Sequence, residues 1–100
     1  MIHFEVVSKL GKKISTTKEY WEFIVTVKHP MMEGKEKVVQ EALKEPDEVR
    51  KSKNDKSVHL YYKGDRVITC VVCKHLNGEG FIITTYQTDK IKEGELVWKK

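Results

Sequence analysis

The sequence predicts an α+β domain, with two helices packed on one face of a mostly antiparallel four-stranded sheet and a short N-terminal β-hairpin ahead of them. Three observations carry this expectation. Residues 57–63, 66–75 and 80–86 are rich in β-branched and aromatic side chains and read as three consecutive antiparallel strands. Gly64-Asp65 and Asn77-Gly78 separate them with hairpin-turn chemistry. Helical patterns precede this meander, and runs of helix followed by runs of strand indicate an α+β fold.

In chain order, Ile2-His3-Phe4-Glu5-Val6-Val7 alternates as a strand, and Gly11-Lys12-Lys13 turns the chain back into a second short strand near Ile14-Ser15. These two form the expected hairpin. Thr16-Thr17-Lys18-Glu19 opens a helix, with a Thr as N-cap and an acid in the first turn. Trp21, Ile24 and Val25 give its apolar stripe at i, i+3, i+4. The segment is also β-branched, so a strand is the competing reading. Pro30 stops the helix and restricts His29 to extended backbone. Met31 to Gly34 connect. Residues 35–45 form the clearest helix, with Val38, Val39, Ala42 and Leu43 as its stripe, and Pro46 ends it. Residues 47–52 enter a strand. In the meander, the middle strand is apolar on both faces and belongs at the centre of the sheet. After Tyr86 the tail is short, pinned to the body through Ile91 and Trp98.

Composition narrows the class. The chain has 100 residues, 39% of them hydrophobic and 34% charged, which suits one soluble globular domain. No apolar run approaches the length of a membrane span, and Met1-Ile2-His3-Phe4-Glu5 lacks the layout of a signal peptide, so the expected compartment is the cytoplasm. Nineteen Lys and Arg against fifteen Asp and Glu give a net charge of +4, which permits a polyanionic partner without demanding one. His3, His59 and His75 have no metal-site spacing, and no cofactor motif is present.

The segments Trp21 to His29-Pro30, Pro46-Asp47-Glu48-Val49-Arg50-Lys51-Ser52, Tyr61-Tyr62-Lys63, Val71-Val72-Cys73-Lys74 and Gly80-Phe81-Ile82-Ile83-Thr84-Thr85-Tyr86 follow one another in a recognisable order. In that order the chain resembles, from about Thr16 onward, small prokaryotic and phage proteins grouped with the barnase–EndoU–colicin–RelE-like nuclease fold. The resemblance implies a metal-independent ribonuclease, toxin-like, with RNA as substrate, an antitoxin or immunity protein as partner, and no membrane. Its site would lie on the open sheet face. Residue by residue it implies His29, Arg50, Ser52 and Thr84 as catalytic groups, with Lys74, Tyr61 and Tyr86 at the RNA. Lys28 and Met31 stand where an Arg and a Glu are expected around the His-Pro pair, and Thr85 stands at a position expected to be small.

The chemistry is consistent with these residue types. Metal-free RNA cleavage needs a base for the ribose 2′-OH, an acid for the leaving oxygen and cations for the phosphate charge. An imidazole titrates near neutrality, which suits His29, although a His capping a helix end is the plainer alternative. Arg50 and Ser52, two apart on a strand, share one face, and a guanidinium fork suits phosphate. Thr84 and Tyr86 are expected to share a face with Ile82. Tyr61, Tyr62 and Tyr86 can stack bases or pack across strands. A non-catalytic RNA- or protein-binding module on the same fold is the alternative function.

Cys70 and Cys73, three apart on a strand, point to opposite faces, and the chain has no second cysteine pair for zinc. Purified protein is therefore expected to hold neither an intramolecular disulfide nor stoichiometric zinc. Elemental analysis finding one zinc per chain would overturn this.

Overall fold

A computed structural model describes residues 1–91 and 93–100. The fold is built around the strand Ile68–His75. Its sequence is apolar on both sides, and both sides are covered: Val71 and Cys73 face one cluster of buried side chains, Ile68 and Cys70 another. In chain order the elements are β1 (Ile2–Val7), β2 (Lys13–Thr17), α1 (Lys18–Phe23), α2 (Glu36–Lys44), β3 (Glu48–Lys51), β4 (Val58–Lys63), β5 (Ile68–His75), β6 (Glu79–Thr88) and β7 (Glu95–Lys99). A π-helical turn, Ile24–Lys28, and a 3-10 turn, Pro30–Met32, join α1 to α2.

The α+β class fits, but the four-stranded sheet does not. The strands form one seven-stranded mixed sheet in the order β1-β2-β6-β5-β4-β3-β7. The expected strands β3 to β6 are its antiparallel centre, and both ends extend it. The N-terminal hairpin is not a separate unit. Its second strand lies parallel to β6 through Lys13↔Glu79, Ile14↔Gly80 and Ser15↔Phe81. Parallel pairing joins segments far apart in sequence and leaves no turn signal between them. Gly80 makes room at this junction, since a Cβ there would meet the Lys74 carbonyl oxygen at 2.2 Å. At the other end the tail becomes β7, antiparallel to β3, with Trp98 opposite Val49 and packed against the core.

Helices cover one face only. Thr17 caps α1 as its composition suggests, accepting from the Tyr20 amide at 3.1 Å. The helix then departs from the expected single rod to residue 29. The backbone N–H of His29 reaches back five residues to the Ile24 carbonyl at 2.7 Å, closing the π turn. This wider turn keeps Ile24 and Val25 buried and carries His29 past the edge of β6. Met32, read as part of a plain connector, is fully buried and belongs to the core. On α2 the buried stripe is Val39, Ala42 and Leu43, while Val38 is 41% exposed. Among the described residues no helix is long and apolar enough to cross a membrane.

One irregularity sets which side chains line the helix-free face. Val72 stands opposite Thr84, but the next residue, Cys73, stands opposite Ile82, so Ile83 is an extra residue in β6. Before this bulge Ile82 faces the helices with Cys73. After it Thr84 and Tyr86 face the other way, beside Val72 and Cys70. The expected common face for Ile82, Thr84 and Tyr86 is thus corrected, because the bulge shifts the two-residue alternation by one. The Tyr20 hydroxyl donates to the Ile83 carbonyl at 2.6 Å and so ties α1 to the bulge.

Trp21 is 4% exposed and meets the Phe4 ring edge-on at 5.7 Å between centroids. Trp21→Ala is expected to cost about 3–5 kcal/mol in denaturant melts. A loss below about 1 kcal/mol would mean that α1 does not depend on this contact.

Candidate functional site

On the helix-free face, β4, β5 and β6 form the floor of a groove of about 540 Å³. Val58 and Leu60 come from β4, Val72 from β5, and Thr84 and Tyr86 from β6. His29 enters from the π turn, Ser52 from the end of β3, and Glu93 from the segment before β7. Groups far apart in sequence therefore meet because the sheet brings strand ends together and the π turn delivers an imidazole across the β6 edge.

The polar groups have distinct states. The His29 ring lies against Tyr86, with centroids 5.4 Å apart and planes tilted by 40°. Burial, and next the positive Lys28, hold its pKa below the usual histidine value, so it is neutral near pH 7. The same burial, with the neighbouring Cys70, raises Tyr86 above the usual phenol range and keeps its hydroxyl protonated. Ser52 Oγ accepts from the Asn54 amide at 3.2 Å. The Thr84 hydroxyl is buried and has no hydrogen-bond partner. A shallower depression adjoins the groove, sharing Ser52 and Glu93 and adding Lys53, Asn54 and Gly94.

Four of the seven site residues expected from the sequence come together: His29, Ser52, Thr84 and Tyr86. Arg50 lies on the same face of the sheet but its guanidinium is engaged. It donates to Glu48 Oε2 at 2.5 Å and to the Gly94 carbonyl at 3.1 Å. It acts as a clamp on the turn that carries Glu93. Lys74 also faces this side, paired with Asp55 at 3.3 Å. Tyr61 does not belong to the site. It is fully buried on the helix-covered face, where its hydroxyl donates to Ser8 Oγ at 2.8 Å. Alternation along β4 explains this, since Leu60 and Tyr62 take the groove face and Tyr61 the opposite one.

Sequence reasoning missed Glu93 and the aliphatic floor. The only local signal for Glu93 is the following Gly94, whose φ of 88° permits the turn into β7 close against Arg50. Chemically the groove offers a neutral imidazole, a carboxylate, two aliphatic hydroxyls and a phenol above an apolar floor. That set can hold a flat ring, exchange protons with a substrate and hydrogen-bond an oxyanion. Among the described residues no three His, Cys, Asp or Glu side chains gather as a metal-binding group.

Comparison with known proteins finds no family model that matches this chain, and no curated protein or solved structure with significant similarity to it.

An unpartnered buried hydroxyl is a cost to the fold of about 1–3 kcal/mol. Thr84→Val, which keeps the shape and deletes the hydroxyl, is expected to leave stability unchanged or raise it by about 1 kcal/mol. Destabilisation of more than about 1 kcal/mol in urea melts would show that the hydroxyl has a partner in solution.

Proposed function

We propose that the groove is the site of a metal-independent ribonuclease of the RelE and colicin-like kind, acting on RNA in the cytoplasm and held in check by an antitoxin or immunity protein. The observation that carries this reading is the convergence of His29, Ser52, Thr84 and Tyr86, together with Glu93, on one groove of the open sheet face. In this reading the ribose 2′-oxygen attacks the adjacent phosphorus, its proton passes to a base, and the 5′-oxygen leaves with a proton from an acid. The products are a 2′,3′-cyclic phosphate and a free 5′-hydroxyl. Neutral His29 takes the base role, and the imidazolium so formed returns the proton to the leaving 5′-oxygen, with Glu93 facing it across the groove. Ser52 and Thr84 hydrogen-bond the phosphate oxygens, and Tyr86 holds a base. Lys53 stands in the adjoining depression as the nearest cation among the lining residues.

A second reading, a non-catalytic RNA- or protein-binding module, is favoured by one specific observation. Arg50 and Lys74, the cations expected at the phosphate, are already paired with Glu48 and Asp55. A binding module tolerates that neutralisation better than a nuclease does, because stabilising a charged transition state needs free cations.

The two readings separate on a gel. Wild type incubated with mixed cellular RNA is expected to cleave it with or without chelator, and His29→Ala to lower the rate by about 10²–10⁴-fold while leaving RNA binding nearly intact. Cleavage unchanged in His29→Ala removes His29 from the site, and no cleavage under any condition leaves the binding module. The pH profile adds a sign. A base must be deprotonated, so activity falls as pH drops through the His29 pKa, which lies below the usual histidine value. Lys28→Ala removes a charge that disfavours the imidazolium, so it is expected to move that acidic limb to higher pH. A limb that stays in place or moves to lower pH assigns the titration to another group.

A further inference from the structure

Four basic side chains meet at the end of the helix-covered face, away from the groove. Lys51 of β3 and His59 of β4 are cross-strand partners. His59 pairs with Cys73, and His75 lies two residues further along β5 on the same face. The two imidazoles stack, with centroids 3.9 Å apart and planes within 9°. Lys12, in the turn between β1 and β2, reaches over to the Leu76 carbonyl at 3.5 Å. Beneath them Tyr61 bridges Ser8 at 2.8 Å and His75 Nε2 at 3.0 Å, so the hairpin and the central strands fix the cluster together.

Among the described residues three Lys and Arg side chains form ion pairs, Lys9 with Glu45, Arg50 with Glu48 and Lys74 with Asp55. Among the described ion pairs, none includes Lys12 or Lys51. The carboxylates nearest by register are Glu95, opposite Lys51, and Glu79, opposite Lys13. His59 Nδ1 is buried without a well-formed hydrogen bond, although the Ser57 backbone lies beside the ring. Lys12 and Lys51 carry the charge here, beside two imidazoles that are neutral near pH 7, and their positive field attracts anions. A metal ion is the wrong guest, because stacked rings aim their nitrogen lone pairs in parallel and not at one point, and two ammonium groups repel a cation.

We propose that Lys12, Lys51, His59 and His75 form a phosphate-binding site that takes a phosphoryl group or a phosphodiester. The site is independent of the groove and of the nuclease reading. Its occupancy is coupled to protons. Burial, then the charge of His59 and of Lys12, push His75 down to about 4, and burial with Lys51 and Lys12 lowers His59 against an opposing contact to the Ser57 backbone. A bound anion cancels the lysine contribution and raises both imidazoles. The bound state therefore carries more protons than the free state, and affinity rises as pH falls through the imidazole pKa values, which lie below the usual histidine range.

The test follows the imidazole resonances of the full chain by NMR from about pH 3 to pH 8, in inorganic phosphate and in chloride of equal ionic strength. Phosphate is expected to move the His59 and His75 midpoints up by about half a unit or more and leave His3, paired with Glu36, in place. The double variant Lys12→Ala/Lys51→Ala, its fold checked by its amide spectrum, is expected to lose that shift. No shift at His59 and His75, the same shift at His3, or an undiminished shift in the double variant would overturn the proposal. A short single-stranded RNA distinguishes the source of the phosphate. RNA acting at lower phosphate concentration than the inorganic ion identifies a nucleic-acid backbone as the ligand, and equal potency identifies a free phosphoryl group.

Discussion

The extra residue at Ile83 is the feature on which the arrangement of the protein most depends. It lets one strand serve two layers in succession. Up to Ile82, β6 contributes to the core beneath the helices; from Thr84 onward its alternate residues turn to the opposite face. Without the bulge Thr84 would fall in step with Ile82 and point under the helices, and the groove would lose its wall. Tyr20 holds the bulge from one side through the Ile83 carbonyl. β5 holds it from the other, since its side chains are buried on both faces over most of its length and cannot slip register without exposing them.

The face opposite the helices inherits its chemistry from this constraint. Its floor is aliphatic, its walls are polar, and one of its hydroxyls is left buried without a partner. Such a group weakens the fold locally and is retained at a cost. Arg50 links the two halves of the site in a different way from a phosphate ligand. By holding the Gly94 carbonyl it fixes the segment that places Glu93 at the groove, while Glu48 satisfies its charge. A residue that looks like a substrate-binding cation in sequence is, in the folded chain, a positioning group.

What was legible in the sequence was local. The Thr17 cap, the buried Trp21, the central double-sided strand and the divergent cysteines follow from patterns within a few residues, and Cys70 and Cys73 do fall in separate buried clusters. What was not legible was non-local or masked by ordinary-looking residues. The parallel pairing of β2 with β6 joins residues more than sixty apart, and nothing in Lys13-Ile14-Ser15 announces it. The last strand exposes most of its side chains, so it shows little alternation. Ile82-Ile83 reads as a regular strand because no glycine marks the bulge. For the site, His29, Ser52, Thr84 and Tyr86 were singled out through a resemblance and not through periodicity. Periodicity placed Thr84 and Tyr86 with Ile82, whereas the bulge turns them to the other face, and it gave no hint of Glu93.

The register of β5 against β6 is the most direct thing to measure. Hα–Hα and amide nuclear Overhauser contacts across the two strands report which residues stand opposite one another. The bulged sheet requires Val72 opposite Thr84 and Cys73 opposite Ile82, with Ile83 making no cross-strand pair, and contacts between the His29 and Tyr86 rings. A continuous register with Cys73 opposite Ile83, or a His29 ring without contact to Tyr86, would contradict the groove and everything placed in it.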